Sequence, residues 1–228
     1  MRIKKLSSNI VLKKLEDEIR FDDKDFPVLS SKTPFELLIA TILSQNTSDK
    51  NTAKSLKKLR ERIGITPEKI LRADLKVLKS AIRSSGLYNV KATVIKKLAK
   101  IVIEKYGGRL EQIFEKPLEE ARSELMSLPG VGPKTADVML LFAGGKPTFP
   151  IDTHVSRVSR RLGIVDEKDD YEEARVKLMK FFPPKYYLKA HLLLIEHGRR
   201  TCKAKNPLCR NCVLLKYCSF GQLLSKKL

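Results

Sequence analysis

Residues 128–140 read LPGVGPKTADVML: two glycines, two prolines and a lysine set ahead of an apolar run. The stretch before it, EEARSELMS at 119–127, has helical spacing, and so does the run that follows, so the element reads as helix, tight glycine turn, helix. Glycine allows positive φ and close approach of another backbone, which makes Gly130 and Gly132 the turn residues. Pro133 suits the first helical turn, where its missing N–H is no loss. The free N–H groups at that helix start, with the helix dipole, form an anion site able to hold a DNA phosphate without reading a base. The pattern is that of a helix-hairpin-helix.

Lys134 falls in the first turn of the second helix, where the dipole disfavours a positive charge by ~0.3–1 kcal/mol. A neutral amine at that position would be a nucleophile. The competing reading makes Lys134 one more phosphate contact. Farther along, Phe149-Pro150-Ile151-Asp152-Thr153-His154 reads as an extended approach to a new helix, with Asp152 at or near its cap. If that helix packs beside the Lys134 helix, Asp152 can take a proton or steady a developing cation.

Working outward, apolar residues recur at helical spacing in LLIATIL (37–43), VIKKLAKIVIEKY (94–106) and ADVMLLFA (136–143), and strand-like alternation is nearly absent. Gly and Pro breakers divide the chain into about ten short helices, so the expected fold class is all-α. Thr66-Pro67-Glu68 carries a cap before a first-turn proline, and Ser31 or Thr33 stands before Pro34 in the same way.

Lys and Arg number 46 against 26 Asp and Glu, a net charge of +20. After Glu196 eight further basic residues meet no acidic one. Neutralising phosphates releases counterions, so nucleic acid is the natural partner, although a basic surface can also serve solubility alone. No apolar run approaches the roughly 20 residues of a membrane span. The first residues, MRIKKLSSNIVLKKLEDEIR, interleave charges where a signal peptide is uninterrupted, so the expected location is the cytoplasm, with no membrane partner.

All four cysteines lie in one run, Cys202, Cys209, Cys212 and Cys218, spaced C-x6-C-x2-C-x5-C. Such clustering in a cytosolic chain points to a metal site rather than to disulfides. The spacing suits either zinc or an iron–sulfur cluster. Lys203, Lys205 and Arg210 sit inside the same loop, where metal clamping would hold them ready for a phosphate backbone; the alternative is that they only face solvent.

Taken together, LPGVGPKTADVML, PIDTHVSRVSRRLGI and the cysteine run resemble the endonuclease III family of DNA base-excision repair glycosylases. PFELLIATILSQNTSDKNT and GLYNVKATVIKKLAKIV extend the likeness from about residue 34 to 218. The resemblance implies a two-lobed helix-hairpin-helix glycosylase fold. Residues 26–146 would form a six-helix lobe containing the hairpin, and residues 1–25 with 147–228 a cluster lobe, DNA lying between. It further implies a [4Fe–4S] cluster on the four cysteines, Lys134 as nucleophile, Asp152 as its acidic companion, and Gln45 and Leu87 filling the gap left by a flipped base. A monomer acting on double-stranded DNA with damaged bases or abasic sites follows, associated with the nucleoid. The implied activity joins base removal, on oxidised pyrimidines such as thymine glycol, to β-elimination at the abasic site. A mismatch-directed thymine or uracil glycosylase and a non-catalytic DNA-binding hairpin protein are the alternatives. One segment departs from the family's bacterial SAQxTD pattern: here it reads SQNTSDKNT, and no role passes to Ser48 or Asp49.

Overall fold

The computed structural model describes residues 4–20 and 26–226, which fall into two compact units: residues 26–146, and residues 4–20 with 147–226. The divide expected after residue 25 falls at residues 21–25, outside the described residues. Twelve α-helices and several short 3-10 turns make up the described chain, which has no strand. None of these helices is long and apolar enough to cross a membrane.

The unit of residues 26–146 holds α2 (Pro34–Ser44), α3 (Asp49–Arg62), α4 (Pro67–Arg72), α5 (Leu75–Ile82), α6 (Tyr88–Tyr106), α7 (Leu118–Met126) and α8 (Pro133–Phe142). Helix α2 is its central post: every residue from Phe35 to Leu43 is buried. A helix apolar on all sides must be surrounded, and α3, α6 and α8 pack around it. Thr33 is the residue that caps α2, its hydroxyl accepting from the Glu36 N–H, while Thr66 caps α4 by accepting from the Lys69 N–H. Ser48, the departure from the family pattern, caps α3 by accepting from the Asn51 N–H, so it serves the helix start locally. Helices α7 and α8 pack on each other as a hairpin, pinned by a buried ion pair in which Arg122 Nε donates to Asp137 Oδ1 at 3.0 Å. Losing one member of such a pair strands the other charge and costs about 3–5 kcal/mol.

The second unit holds α1 (Ser8–Glu18), α9 (Thr153–Arg161), α10 (Tyr171–Phe181), α11 (Tyr187–Arg200) and α12 (Ser219–Lys226). Its core centres on Phe149, stacked on Phe182 and meeting Tyr187 edge-on, both at 5.6 Å between ring centres. Helices α9 and α11 cross closely at Gly198, where an added Cβ would stand 2.9 Å from the Cβ of His154.

Candidate functional site

The hairpin turn needs its first glycine for two reasons. Gly130 has φ +78°, and a Cβ there would stand 2.8 Å from Val94 Cγ1 and 3.3 Å from Ile42 Cδ1. Gly132 differs from expectation, because its φ of −98° and ψ of −178° are extended backbone open to any residue, and nothing lies near an added Cβ. Its value is the missing side chain. Gly132 is the N-cap of α8 and gives no side-chain hydrogen bond, whereas α2, α3, α4, α5, α9 and α10 are all capped by a side-chain oxygen. Pro133 has no N–H, and the helical bonds begin with Ala136 donating to the Gly132 carbonyl at 3.0 Å. The N–H groups of Lys134 and Thr135 are therefore left for an external acceptor.

Lys134 is half-buried, and its amine makes no hydrogen bond or ion pair within its unit. Thr135 beside it is buried and receives the Gln45 side chain: Nε2 donates to the Gly130 carbonyl at 3.1 Å and to Thr135 Oγ1 at 3.4 Å. The structure thus gathers Gln45, Gly130, Gly132 and Lys134 at one end of the hairpin. Leu87 stands on the turn before α6 with 60% of its surface exposed and φ +48°, a left-handed conformation rare for leucine. Both features are unfavourable in the free protein, the backbone alone by ~1–3 kcal/mol.

In the other unit, Asp152 is the N-cap of α9, as its sequence position suggests. Its Oδ1 accepts from the His154 N–H at 2.9 Å and the Val155 N–H at 2.7 Å, and the second oxygen has no hydrogen bond within the unit. Helix α9 also grips the cysteine loop through two arginines that sequence reasoning missed. Arg157 Nε donates to the Cys202 carbonyl at 2.9 Å and its NH2 to the Gly198 carbonyl at 2.9 Å. Arg161 NH1 donates to the Lys203 carbonyl at 2.8 Å and reaches Cys202 Sγ at 3.4 Å, NH2 donates to the Ala204 carbonyl, and the guanidinium lies over the Phe220 ring at 4.3 Å. The only sequence signal was one-turn spacing of basic residues on an amphipathic helix, which reads equally well as a solvated face. Lys203 and Lys205 are exposed on a loop whose backbone Arg161 holds.

Cys202, Cys209, Cys212 and Cys218 line one small cavity of about 20 Å³ together with Arg161, His197 and Gly221. Burial pushes the Cys212 thiol up to about 12 and raises Cys209 and Cys218 as well, so in a dry pocket only a cation would draw the protons off. The Gly221 N–H donates to Cys218 Sγ at 3.3 Å, and His197 Nε2 lies 3.6 Å from Cys212 Sγ. Burial lowers the His197 pKa to about 4, so its ring is neutral near pH 7. Four sulfurs around one small cavity, with the Gly221 N–H donating to Cys218 and the Arg161 guanidinium to Cys202, form a donor set that fits a thiolate-bound metal centre. No three His, Cys, Asp or Glu side chains among the described residues gather tightly enough to hold a single metal ion.

Comparison with known proteins places these features in a family. The description of an HhH-GPD superfamily base excision DNA repair protein matches residues 39–184. Endonuclease III of Thermotoga maritima is 41% identical over 207 residues, covering 90% of this chain and 92% of the relative. Among solved structures, a non-covalent endonuclease III–DNA complex superposes with a TM-score of 0.80 at 38% identity, covering 97% of this chain and 99% of that one. A trapped endonuclease III–DNA covalent intermediate gives 0.79 at 38% identity, covering 96% and 99%.

Proposed function

From membership of the endonuclease III family of HhH-GPD base-excision repair proteins, to which this chain belongs, we propose that Lys134 is the nucleophile and Asp152 its acidic companion. The protein is a base-excision repair DNA glycosylase with an associated abasic-site lyase activity. The lesions it takes are oxidised pyrimidines such as thymine glycol. The observation that carries the reading is the start of α8: a helix with no side-chain cap, two free N–H groups, and next to them an amine engaged by nothing in its unit.

Binding extrudes the damaged nucleotide at a cost of a few kcal/mol. The uncapped N–H groups hold a backbone phosphate, and Gln45, leaving its partners on the hairpin, fills the gap with Leu87. The Lys134 lone pair attacks the sugar C1′ while the glycosidic bond breaks, its electrons leaving with the base, which takes up a proton. Asp152, with one oxygen not hydrogen-bonded in its unit, takes the proton the amine sheds or balances the charge growing on the sugar. The ring opens to an iminium between Lys134 and C1′. Loss of a C2′ proton then expels the 3′ phosphate and nicks the strand. The amine is the one element a simple binding hairpin does not need.

The family generally carries a [4Fe–4S] cluster, and we assign one to Cys202, Cys209, Cys212 and Cys218. The lining supplies four cysteine sulfurs and no carboxylate, a donor set that suits such a thiolate-bound centre. When bound, the cluster ties together a loop that α9 already holds, presenting Lys203 and Lys205 to phosphate.

Borohydride trapping on a duplex bearing thymine glycol or an abasic site tests the nucleophile. The parent chain gives a covalent adduct and Lys134→Ala gives none; equal trapping in both rejects the assignment. The purified protein is brown, with broad visible absorbance that dithionite or acid alters. A colourless, zinc-containing protein removes the iron.

A further inference from the structure

Lys91 is only 5% exposed, in a protein whose other lysines mostly face solvent. Lysine is rarely buried without a carboxylate, and among the described residues Lys91 has none. Its ammonium instead donates to three backbone carbonyls: Leu43 at 2.9 Å, Gln45 at 2.7 Å and Ser85 at 2.8 Å. Three donors meet three acceptors, which saturates the group. Leu43 and Gln45 close α2, and Ser85 closes the 3-10 turn Arg83–Ser85, so the cation sits where the carbonyl ends of two helical segments converge. Burial lowers the amine's pKa to about 8, while the three carbonyls act in the opposite sense.

The two segments so joined are those that carry the gap-filling pair. Immediately after Gln45 the chain turns left-handed at Asn46, with φ +54°, and immediately after Ser85 it does so twice, at Gly86 with φ +66° and Leu87 with φ +48°. Lys91 also lies one turn into the helix that Leu87 begins, its own N–H donating to the Leu87 carbonyl at 2.9 Å. Its backbone is therefore tied to Leu87 and its side chain to the Gln45 carbonyl. A methionine in its place would spare the cost of drying an ammonium but leave the three carbonyls without this donor, loosening the junction between the two segments.

We propose that Lys91 is a positioning residue that fixes the spacing between Gln45 and Leu87, so that both enter the space vacated by the extruded nucleotide as one rigid unit. The inference rests on the gap-filling roles given to these two residues above. Without the tie, two strained turns reach the duplex independently and must be ordered during extrusion. Removal of an intact base, which has to be unstacked, then suffers more than β-elimination at a preformed abasic site, where no base is left to unstack.

The test is single-turnover kinetics on a thymine glycol duplex and an abasic duplex with four proteins: the parent, Lys91→Met, Gln45→Ala/Leu87→Ala, and the triple variant. Lys91→Met lowers base excision about tenfold or more and abasic-site cleavage less than about threefold. Added to Gln45→Ala/Leu87→Ala, it lowers excision by less than about threefold further, since the residues through which it acts are gone. An equal loss on both duplexes, an additive loss in the triple variant, or no loss in Lys91→Met overturns the inference. Where Lys91→Met does not fold, Lys91→Gln, which keeps an N–H donor, is held to the same outcomes. A parent chain that does not excise, or a Gln45→Ala/Leu87→Ala chain as fast as the parent, overturns the underlying assignment, and this inference falls with it.

Discussion

Asp152 divides its work between its two oxygens. One caps α9 by accepting from two backbone N–H groups, and the other is left without a hydrogen bond in its unit. Asparagine caps a helix as well as aspartate does but carries no charge. Asp152→Asn therefore keeps its melting temperature and most of its DNA affinity while turnover falls about 10²–10⁴-fold, the usual contribution of a proton-transfer group; unchanged single-turnover excision rejects the role. At this scale the helix-start positions of Lys134 and Asp152 were legible in the sequence, because a proline at the first helical position and an acidic cap declare themselves to their immediate neighbours. The left-handed backbone of Leu87 and the burial of Lys91 were not. No local rule puts leucine at positive φ, and in a helix rich in lysine nothing nearby singles out the one that is buried.

At the scale of the element, the hairpin shows why two glycines in one turn are not equivalent. Gly130 is constrained by backbone angle and by Val94 and Ile42; Gly132 is constrained by neither, and keeps α8 uncapped. Gly132→Asp supplies the missing acceptor in a conformation aspartate tolerates, so thermal stability holds or rises by a few tenths of a kcal/mol. The same carboxylate occupies the N–H groups and repels phosphate. Binding to an abasic-analogue duplex, followed by fluorescence anisotropy, weakens about tenfold or more. A variant that binds as tightly as the parent dismisses the helix start as a phosphate site. Several helix starts were readable beforehand, Thr33, Thr66 and Asp152 each serving as a cap, although about ten helices were expected where the described chain has twelve. The purpose of Gly132 was misread, since its type hides whether angle, space or absence of an acceptor is the need.

For the whole molecule, the net charge of +20 makes DNA affinity strongly dependent on salt. Lys203 and Lys205 test whether that charge is organised, since Arg161 holds the backbone between them. Lys203→Glu and Lys205→Glu each reduce the slope of log K against log salt by about 0.9, the share of one phosphate no longer neutralised. An unaltered slope assigns the two lysines to solubility. The sequence by itself determined the all-α class, the hairpin, the spacing of the four thiolates and the basic character, because caps, breakers, periodicity and charge act over a few residues or simply add. Only the tertiary structure decided why Gly130 must be glycine, where the Gln45 amide rests, which arginines hold the cysteine loop, and that the Lys91 ammonium is sealed among three carbonyls. Each of those depends on segments distant in the chain converging on one point, and the free energy of burying a side chain or satisfying its hydrogen bonds has no value until they meet.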